Sequence, residues 1–395
     1  MFKLRGSFIL IVLVGVAFFS FIFLLPYFFE MTYSSSFDGG FQANNVENQV
    51  PVVTHIETPE SLKGLYMTSC VAGAPYWREG LKTLIETTEL NAVVIDIKDY
   101  TGVVSIPLLR QGFEGQAKGC VVSDMQEFIK ALHEAGIYVI GRISVFQDPS
   151  YSKLFPELAV KKKSDGGMWK DYKGLSFIDV GAKPYWDYIV DLSKKSYEIG
   201  FDELNYDYVR YPSDGNMQDT LYTWTVGTTT KPEMLESFFK YLHENMKDPS
   251  TNSGQVPVLS VDLFGMTTTV ENDMNIGQVL ELTLPYFDYV SPMVYPSHYP
   301  PSWNGFANPD EYPYEVVKIA MTRAVEREQI WLVSNNFATS TPSKMRPWLQ
   351  DFSLGTTYGA DKVRAQIQAT YDVGLSSWML WNAGNKYTKE ALLPE

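Results

Sequence analysis

Residues 201–212 read FDELNYDYVRYP, and how this stretch is placed decides the fold. Five polar side chains, Asp202, Glu203, Asn205, Asp207 and Arg210, stand among Phe, Leu, Tyr, Val and Pro. Tyr and Val favour a pleated strand. On a strand, side chains alternate between faces, so Glu203, Asn205 and Asp207 share one side and Leu204, Tyr206 and Tyr208 the other. One face is acidic and the other apolar. Taken alone, this is either an edge strand with a wet face or a strand carrying carboxylates into a cleft.

The flanking sequence chooses between them. Strand-like runs alternate with helical patterns from residue 61 to the end: Lys63–Ser69, then a helix from Pro75 to about Leu90; Asn91–Lys98, then Ser123–Ala135. In the second helix Ser123 and Gln126 fit a capping box, with Gly136 as the stop. Ile137–Phe146 leads, past the insertion KKKSDGGMWKDYKG, to a helix over Lys183–Ile199. The opening stretch leads to Pro232–Met246. Val256–Phe264 leads to a weaker helix near Asn275–Leu284, and Phe287–Tyr295 to Tyr314–Glu328. Met345–Phe352, with Ile330–Val333 as a rival strand, leads to Tyr358–Val373. Ser377–Trp381 precedes a short terminal helix. Eight strand-plus-helix units force parallel pairing and predict a closed (β/α)8 TIM barrel, an α/β fold. No GxGxxG follows the first strand, which disfavours a doubly wound open sheet.

Lys3 and Arg5 precede about 24 uncharged residues, Gly6–Phe29, long enough to span a bilayer. No small-x-small site closes the run, so residues 1–29 read as a cytoplasmic stub and an uncleaved transmembrane signal-anchor, with secretion after cleavage as the alternative. Residues 30–60 read as a flexible linker, and 61–395 as the barrel domain outside the cytoplasm. Cys70 and Cys120 are the only cysteines and stand either as one disulfide or as two buried thiols.

A net charge of −14 argues against a nucleic-acid partner. The 25 Tyr, 23 Phe and 9 Trp are core material, and also the flat surfaces on which sugar rings stack. In such barrels the chemistry sits at the C-terminal ends of the strands. Those ends carry Asp96, Arg142, Asp207, Arg210, Asp262, Tyr295, His298, Trp348, Gln350, Asp351, Trp378, Trp381 and Asn382. Many carboxylates, four His and no G-x-S-x-G favour glycosidic-bond chemistry over acyl transfer. Glycoside hydrolysis needs two carboxyl groups across the scissile bond. Asp207 is assigned as nucleophile or base and Asp262 as acid, with Asp351 or Asp96 as a third carboxylate. Arg142 and Arg210 would position Asp207, while Trp348, Trp378, Trp381 and Tyr295 would stack on a polysaccharide. Two rivals stand: a glycan-binding or envelope-scaffold barrel without turnover, and a deacetylase with a metal held by Asp96, Asp99, Asp207 and His298. The helical spacing of two His that such metal sites often show is missing, so no metal or other cofactor is assigned.

GLYMTS, NAVVIDIKDYTG, FDELNYDYVRYPSDG, DYVSPMVYPSHY, RPWLQDF and SSWMLWNAGNKY give the chain from about Lys63 to Lys386 a likeness. It resembles a family of bacterial glycosyl-hydrolase-like TIM-barrel domains that is distantly similar to the α-amylases. The resemblance implies a glycosidase-type barrel. It places Asp207 where the amylases have their nucleophile, with Asn205 standing where they have Arg. Asp262 replaces their acid/base Glu, and Gln350-Asp351 matches only the Asp of their His-Asp pair.

Overall fold

The computed structural model describes residues 53–110, 119–225, 227–247, 256–337 and 343–395. The expected membrane span lies outside them. Among the described residues no helix is long and apolar enough to cross a membrane.

Eight parallel strands close a barrel: β1 (Lys63–Met67), β2 (Ala92–Lys98), β3 (Tyr138–Ser144), β4 (Glu203–Asp207), β5 (Val258–Phe264), β6 (Tyr289–Met293), β7 (Trp348–Gln350) and β8 (Trp378–Trp381). Each strand pairs with its neighbours in sequence, and β8 closes on β1. Every residue of β2, β3 and β4 is buried. Strands covered on both faces read as nearly unbroken apolar runs, which is why AVVIDIK and YVIGRIS look as they do. Six longer helices cover the outside: α1 (Pro75–Glu86), α2 (Met125–Glu134), α3 (Lys183–Glu198), α4 (Lys231–Met246), α5 (Pro313–Ser334) and α6 (Ala360–Asp372). The start of α4 is set by a capping box between Thr230 and Glu233, with Pro232 in its first turn. At Gly141 in β3 an added Cβ would come 2.3 Å from Ile97 Cδ1 and 2.8 Å from Phe201 Cδ1, so any side chain there would force both to shift.

The structure departs from expectation at several elements. The helix near Asn275–Leu284 is only a 3-10 turn, Leu280–Leu282. Met274, Asn275 and Gly277 all have positive φ, which a helix cannot contain. Ile330–Val333 lies inside α5, so β7 comes from the RPWLQDF run. The terminal helix is a single 3-10 turn at Lys389–Ala391. The Ser123 capping box does not form. Asp124 is the N-cap of α2 and makes no side-chain cap, because its carboxylate is gripped by Arg78 at 2.9 and 2.6 Å.

Residues 53–60, expected within the linker, pack on the N-terminal end of the barrel. Ile56 N donates to Asp202 Oδ1 at 2.9 Å, Thr58 Oγ1 lies 2.9 Å from Tyr138 OH, and His55 stacks on Tyr197. The compact unit accordingly begins at Val53. Within the 161–174 insertion Lys161 bridges Met168 in antiparallel register and the Lys162 amide donates to the Gly167 carbonyl at 2.8 Å, which closes a hairpin. Lys161–Lys162 pairs antiparallel with Thr220–Leu221, and Trp169 is buried beneath, donating to the Asn216 carbonyl.

The barrel interior is layered. At the bottom Glu203 pairs with Arg346, whose guanidinium lies 4.3 Å from the Tyr289 ring. Above it stand Asn205, Ser260 and Trp348. Leu204 and Tyr206 point to the helices, where Tyr206 OH meets Ser193 Oγ at 3.0 Å. A closed barrel has no edge, so the acidic face of 201–212 lines the interior.

Cys70 and Cys120 form a disulfide, their Cα atoms 4.9 Å apart, tying the turn after β1 to the segment before α2. The 50-residue separation predicts that Cys70→Ser/Cys120→Ser loses about 2–4 kcal/mol. Urea unfolding of oxidised and double-mutant proteins would measure it; equal midpoints would contradict the expectation.

Candidate active site

The cation at the centre of the upper barrel comes from β3. In register, Asp96 faces Arg142, Arg142 faces Asn205, and Asn205 faces Ser260, so these side chains form one inward row across four strands. Arg142 is 3% exposed and gathers three carboxylates. Its Nη1 donates to Asp96 Oδ1 at 2.6 Å, its Nη2 pairs with Asp207 Oδ2, and its Nε lies 4.0 Å from Asp262 Oδ2. Burial opposes charge on the guanidinium, but Asp207, Asp96, Tyr66 and Asp262 outweigh it and hold its pKa well above the ordinary arginine value. One fixed cation therefore stands against three acids, and the acids cannot all be ionised at low cost.

Their environments separate them. Asp207 Oδ1 accepts from its neighbour's backbone, Tyr208 N, at 2.6 Å, while Oδ2 holds Arg142. Asp262 Oδ1 accepts from Asn205 Nδ2 at 2.9 Å and Trp348 Nε1 at 2.8 Å, which leaves Oδ2 free of these two donors. Burial, then the charge of Asp207, push the Asp262 carboxyl up to about 8, against the lowering effect of Arg142, Asn205 and Trp348. Asp96 is also raised, by burial first, partly offset by Arg142 and by Tyr66, whose OH donates to Oδ2 at 2.5 Å. Because Asp207 pairs with Nη2 and Asp262 lies 4.0 Å from Nε of the same planar guanidinium, their facing oxygens lie within roughly 9 Å of each other. This upper limit covers both the retaining and the inverting separations of paired carboxyl groups.

A cavity of about 590 Å³ opens at this end of the barrel, a normal size for a small-ligand site. Asp207, Arg142, Arg210, Tyr295, His298 and Trp381 line it. Asp262 and Asp96 sit just beneath its wall, 1% and 3% exposed. Trp381 stacks on Tyr66 with centroids 4.0 Å apart, and Arg142 lies 5.1 Å from its ring. Tyr295 packs edge-on against His298 and Phe352. Burial holds the His298 pKa below the usual value, so the ring is neutral at pH 7.

Five expected site residues serve elsewhere. Trp378 is the first residue of β8 and faces the helices, donating to Tyr371 OH at 3.1 Å. Trp348 is inside the barrel, fully buried, and supports Asp262 rather than offering a ring to a ligand. Asp351 accepts from Thr388 N and Oγ1 and anchors the C-terminal tail. Asn382 closes the turn after β8, donating to the Asp351 and Lys386 carbonyls. Gln350 bridges Ser297 N, Asp310 and the Phe352 carbonyl, bracing the loop that carries His298. Arg210 lines the cavity but does not hold Asp207; its Nη1 donates to the Tyr211 carbonyl at 3.0 Å.

Other residues were not anticipated. Tyr208 was placed on the apolar face, yet it lines the cavity, because its φ of +52° breaks the alternation of the strand. A non-glycine residue in this region is strained, and such strain collects at functional sites. The far wall comes from Phe264, Met266, Met274, Ile276 and Met293, four of them at or beyond the end of β5. Their signal was the missing helix after β5. Among the described residues, no group of three or more His, Cys, Asp or Glu is arranged to hold a metal ion. Of the four candidate metal ligands, Asp96 and Asp207 are bound instead to the two terminal nitrogens of Arg142.

A family profile described as "Putative glycosyl hydrolase domain" matches residues 64–387. Among curated proteins nothing matches. A hypothetical protein from Ruminiclostridium thermocellum is 33% identical over 50% of this chain and 96% of its own, with a TM-score of 0.42. The glycoside hydrolase domain of PgaB (BpsB) from Bordetella bronchiseptica is 12% identical, with TM-score 0.57 over 82% of this chain and 94% of its own. Alpha-L-fucosidase isoenzyme 2 from Paenibacillus thiaminolyticus is 11% identical, with TM-score 0.53, covering 84% and 48%. The last two share the barrel fold.

Proposed function

Because the chain belongs to the family described as "Putative glycosyl hydrolase domain", we propose that it cleaves glycosidic bonds of a polysaccharide with Asp207 and Asp262. The observation that carries this reading is the pair itself. Two carboxyl groups on adjacent strands face one arginine, and burial together with the charge of Asp207 raises the Asp262 carboxyl to about 8. Asp207, on the cavity wall, acts as nucleophile or base. Asp262, protonated through neutral pH, gives its proton to the leaving oxygen. A carboxyl raised in pKa beside a second carboxyl group is a usual mark of a general acid. Arg142 and the Tyr208 amide fix the orientation of the Asp207 carboxylate. Trp381 and Tyr295 supply ring surface beside the pair.

Asp262 lies at 1% exposure, and that favours a second reading, a barrel that binds glycan without turning it over. Incubating purified protein with envelope and plant polysaccharides and assaying released sugars separates the two. Turnover supports the hydrolase; binding without product supports the binder. The anchored, extracytoplasmic location is proposed on the charged stub and apolar run of residues 1–29 and on the Cys70–Cys120 disulfide, since such bonds persist in oxidising compartments.

A further inference from the structure

Arg210 is the charge in the cavity wall that the paired-acid chemistry does not use. It is 7% exposed, and the other comparably buried arginines each have a carboxylate: Arg142 has Asp207, Arg327 has Glu281 and Arg346 has Glu203. Arg210 does not. Among the described residues no Asp or Glu oxygen comes within 4.0 Å of it, and Asp207, Asp214 and Asp171 act from farther away. Its guanidinium is held by rings, 4.9 Å from Phe264, 5.2 Å from Tyr208 and 5.7 Å from Phe177. One nitrogen donates to the Tyr211 carbonyl. A guanidinium has five N–H donors, so most of its binding capacity remains.

A buried cation without a counter-ion is destabilising. Here the rings fix its plane and the chain leaves its donors toward the cavity, which is the geometry for a planar or tetrahedral anion. The neighbouring wall of Met266, Met274 and Met293 offers no strong donor, Arg142 is hydrogen-bonded to Asp96 and Asp207 and lies 4.0 Å from Asp262, and burial holds the His298 pKa below the usual value. We propose that the saccharide filling this cavity carries an anionic group, a carboxylate or a sulfate, and that Arg210 binds it. The proposal rests on the reading of the cavity as a saccharide site and narrows its substrate to an acidic glycan. The net charge of −14 opposes an anion at long range. Charges beyond about 8 Å are largely screened at physiological salt, so the local guanidinium decides.

The test uses two matched pairs on the full chain: oligogalacturonate against its methyl ester, and dextran sulfate against dextran. Equilibrium binding is measured with Asp207→Asn protein so that no ligand is consumed, with and without Arg210→Gln. At least one charged ligand should bind ten-fold or more tightly than its neutral partner. Arg210→Gln should weaken that ligand about 10- to 100-fold and leave neutral binding within about three-fold. Arg210→Lys should keep part of the preference. Melting of the unliganded Arg210→Gln protein should occur no lower than its parent, because an unpaired buried charge has been removed. A charge preference that survives Arg210→Gln, or equal binding of charged and neutral ligands, overturns the proposal and leaves the hydrolase reading standing. A lowered melting temperature with uniform loss of all binding assigns Arg210 a structural role instead. If no member of either pair binds, this proposal and the saccharide reading fall together.

Discussion

Asp207→Asn protein is expected to lose at least about 10³-fold in kcat on an authentic polysaccharide, with KM little changed. Asp207 is the carboxylate on the cavity wall, fixed by Arg142 and by the Tyr208 amide. An amide of the same shape keeps the packing but removes the anion that attacks or that activates water. The fold should tolerate it. Arg142 retains Asp96 and stays near Asp262, and the mutation relieves repulsion within a cluster of three acids around one cation. Thermal unfolding within a few degrees of the parent, together with the loss of turnover, is the expected pair of results. Activity within ten-fold of the parent would remove Asp207 from the mechanism. Removing its charge should also lower the Asp262 pKa, since Asp207 is the second cause of its elevation, after burial.

Asp262→Asn should cost about 10²–10⁴-fold on a polysaccharide and far less on an aryl glycoside, whose leaving group needs no proton. That difference identifies an acid. The parent's kcat/KM should fall above about pH 8, where Asp262 loses its proton, and the variant should lack this alkaline limb. Stability carries the same signature. The folded pKa of Asp262 stands above its unfolded value of 3.8, so between about 4 and about 8 the native state binds more protons than the unfolded one. The contribution of this group is therefore greatest below its unfolded pKa, falls as pH rises through that window, and levels off above it. Urea unfolding at pH 5 and pH 8 should show a smaller drop for Asp262→Asn than for the parent. An unchanged alkaline limb in the variant would move the acid role elsewhere.

The barrel was legible because apolar strand runs and helical periodicities alternate through the chain, and parallel strands force their crossovers. What the alternation hid were the elements held by special backbone: the loop at Met274–Gly277, where three positive φ values replace a helix, and Tyr208. The rule that sites lie at strand ends brought Arg142, Asp207, Arg210, Tyr295, His298 and Trp381 to one cavity. It misplaced Trp348 and Trp378 because β7 and β8 are only three and four residues long. In such strands the start and the end are neighbours, and face and depth depend on a register that composition does not reveal. Asp351 and Asn382 lie just past the right ends but are spent on turns and on the tail. Position gave the neighbourhood; side-chain partners decided the role.

Hydrolysis of a glycosidic bond by Asp207 and Asp262 acting together leaves a mark in its products, because water supplies one oxygen to each new reducing end. It is tested most directly by incubating the purified protein with polysaccharides in water enriched in oxygen-18 and examining the products by mass spectrometry. New reducing ends should carry one heavy oxygen with the parent protein and none with Asp207→Asn. Bound but uncut polysaccharide, or labelled ends produced equally by the Asp207→Asn protein, would contradict it.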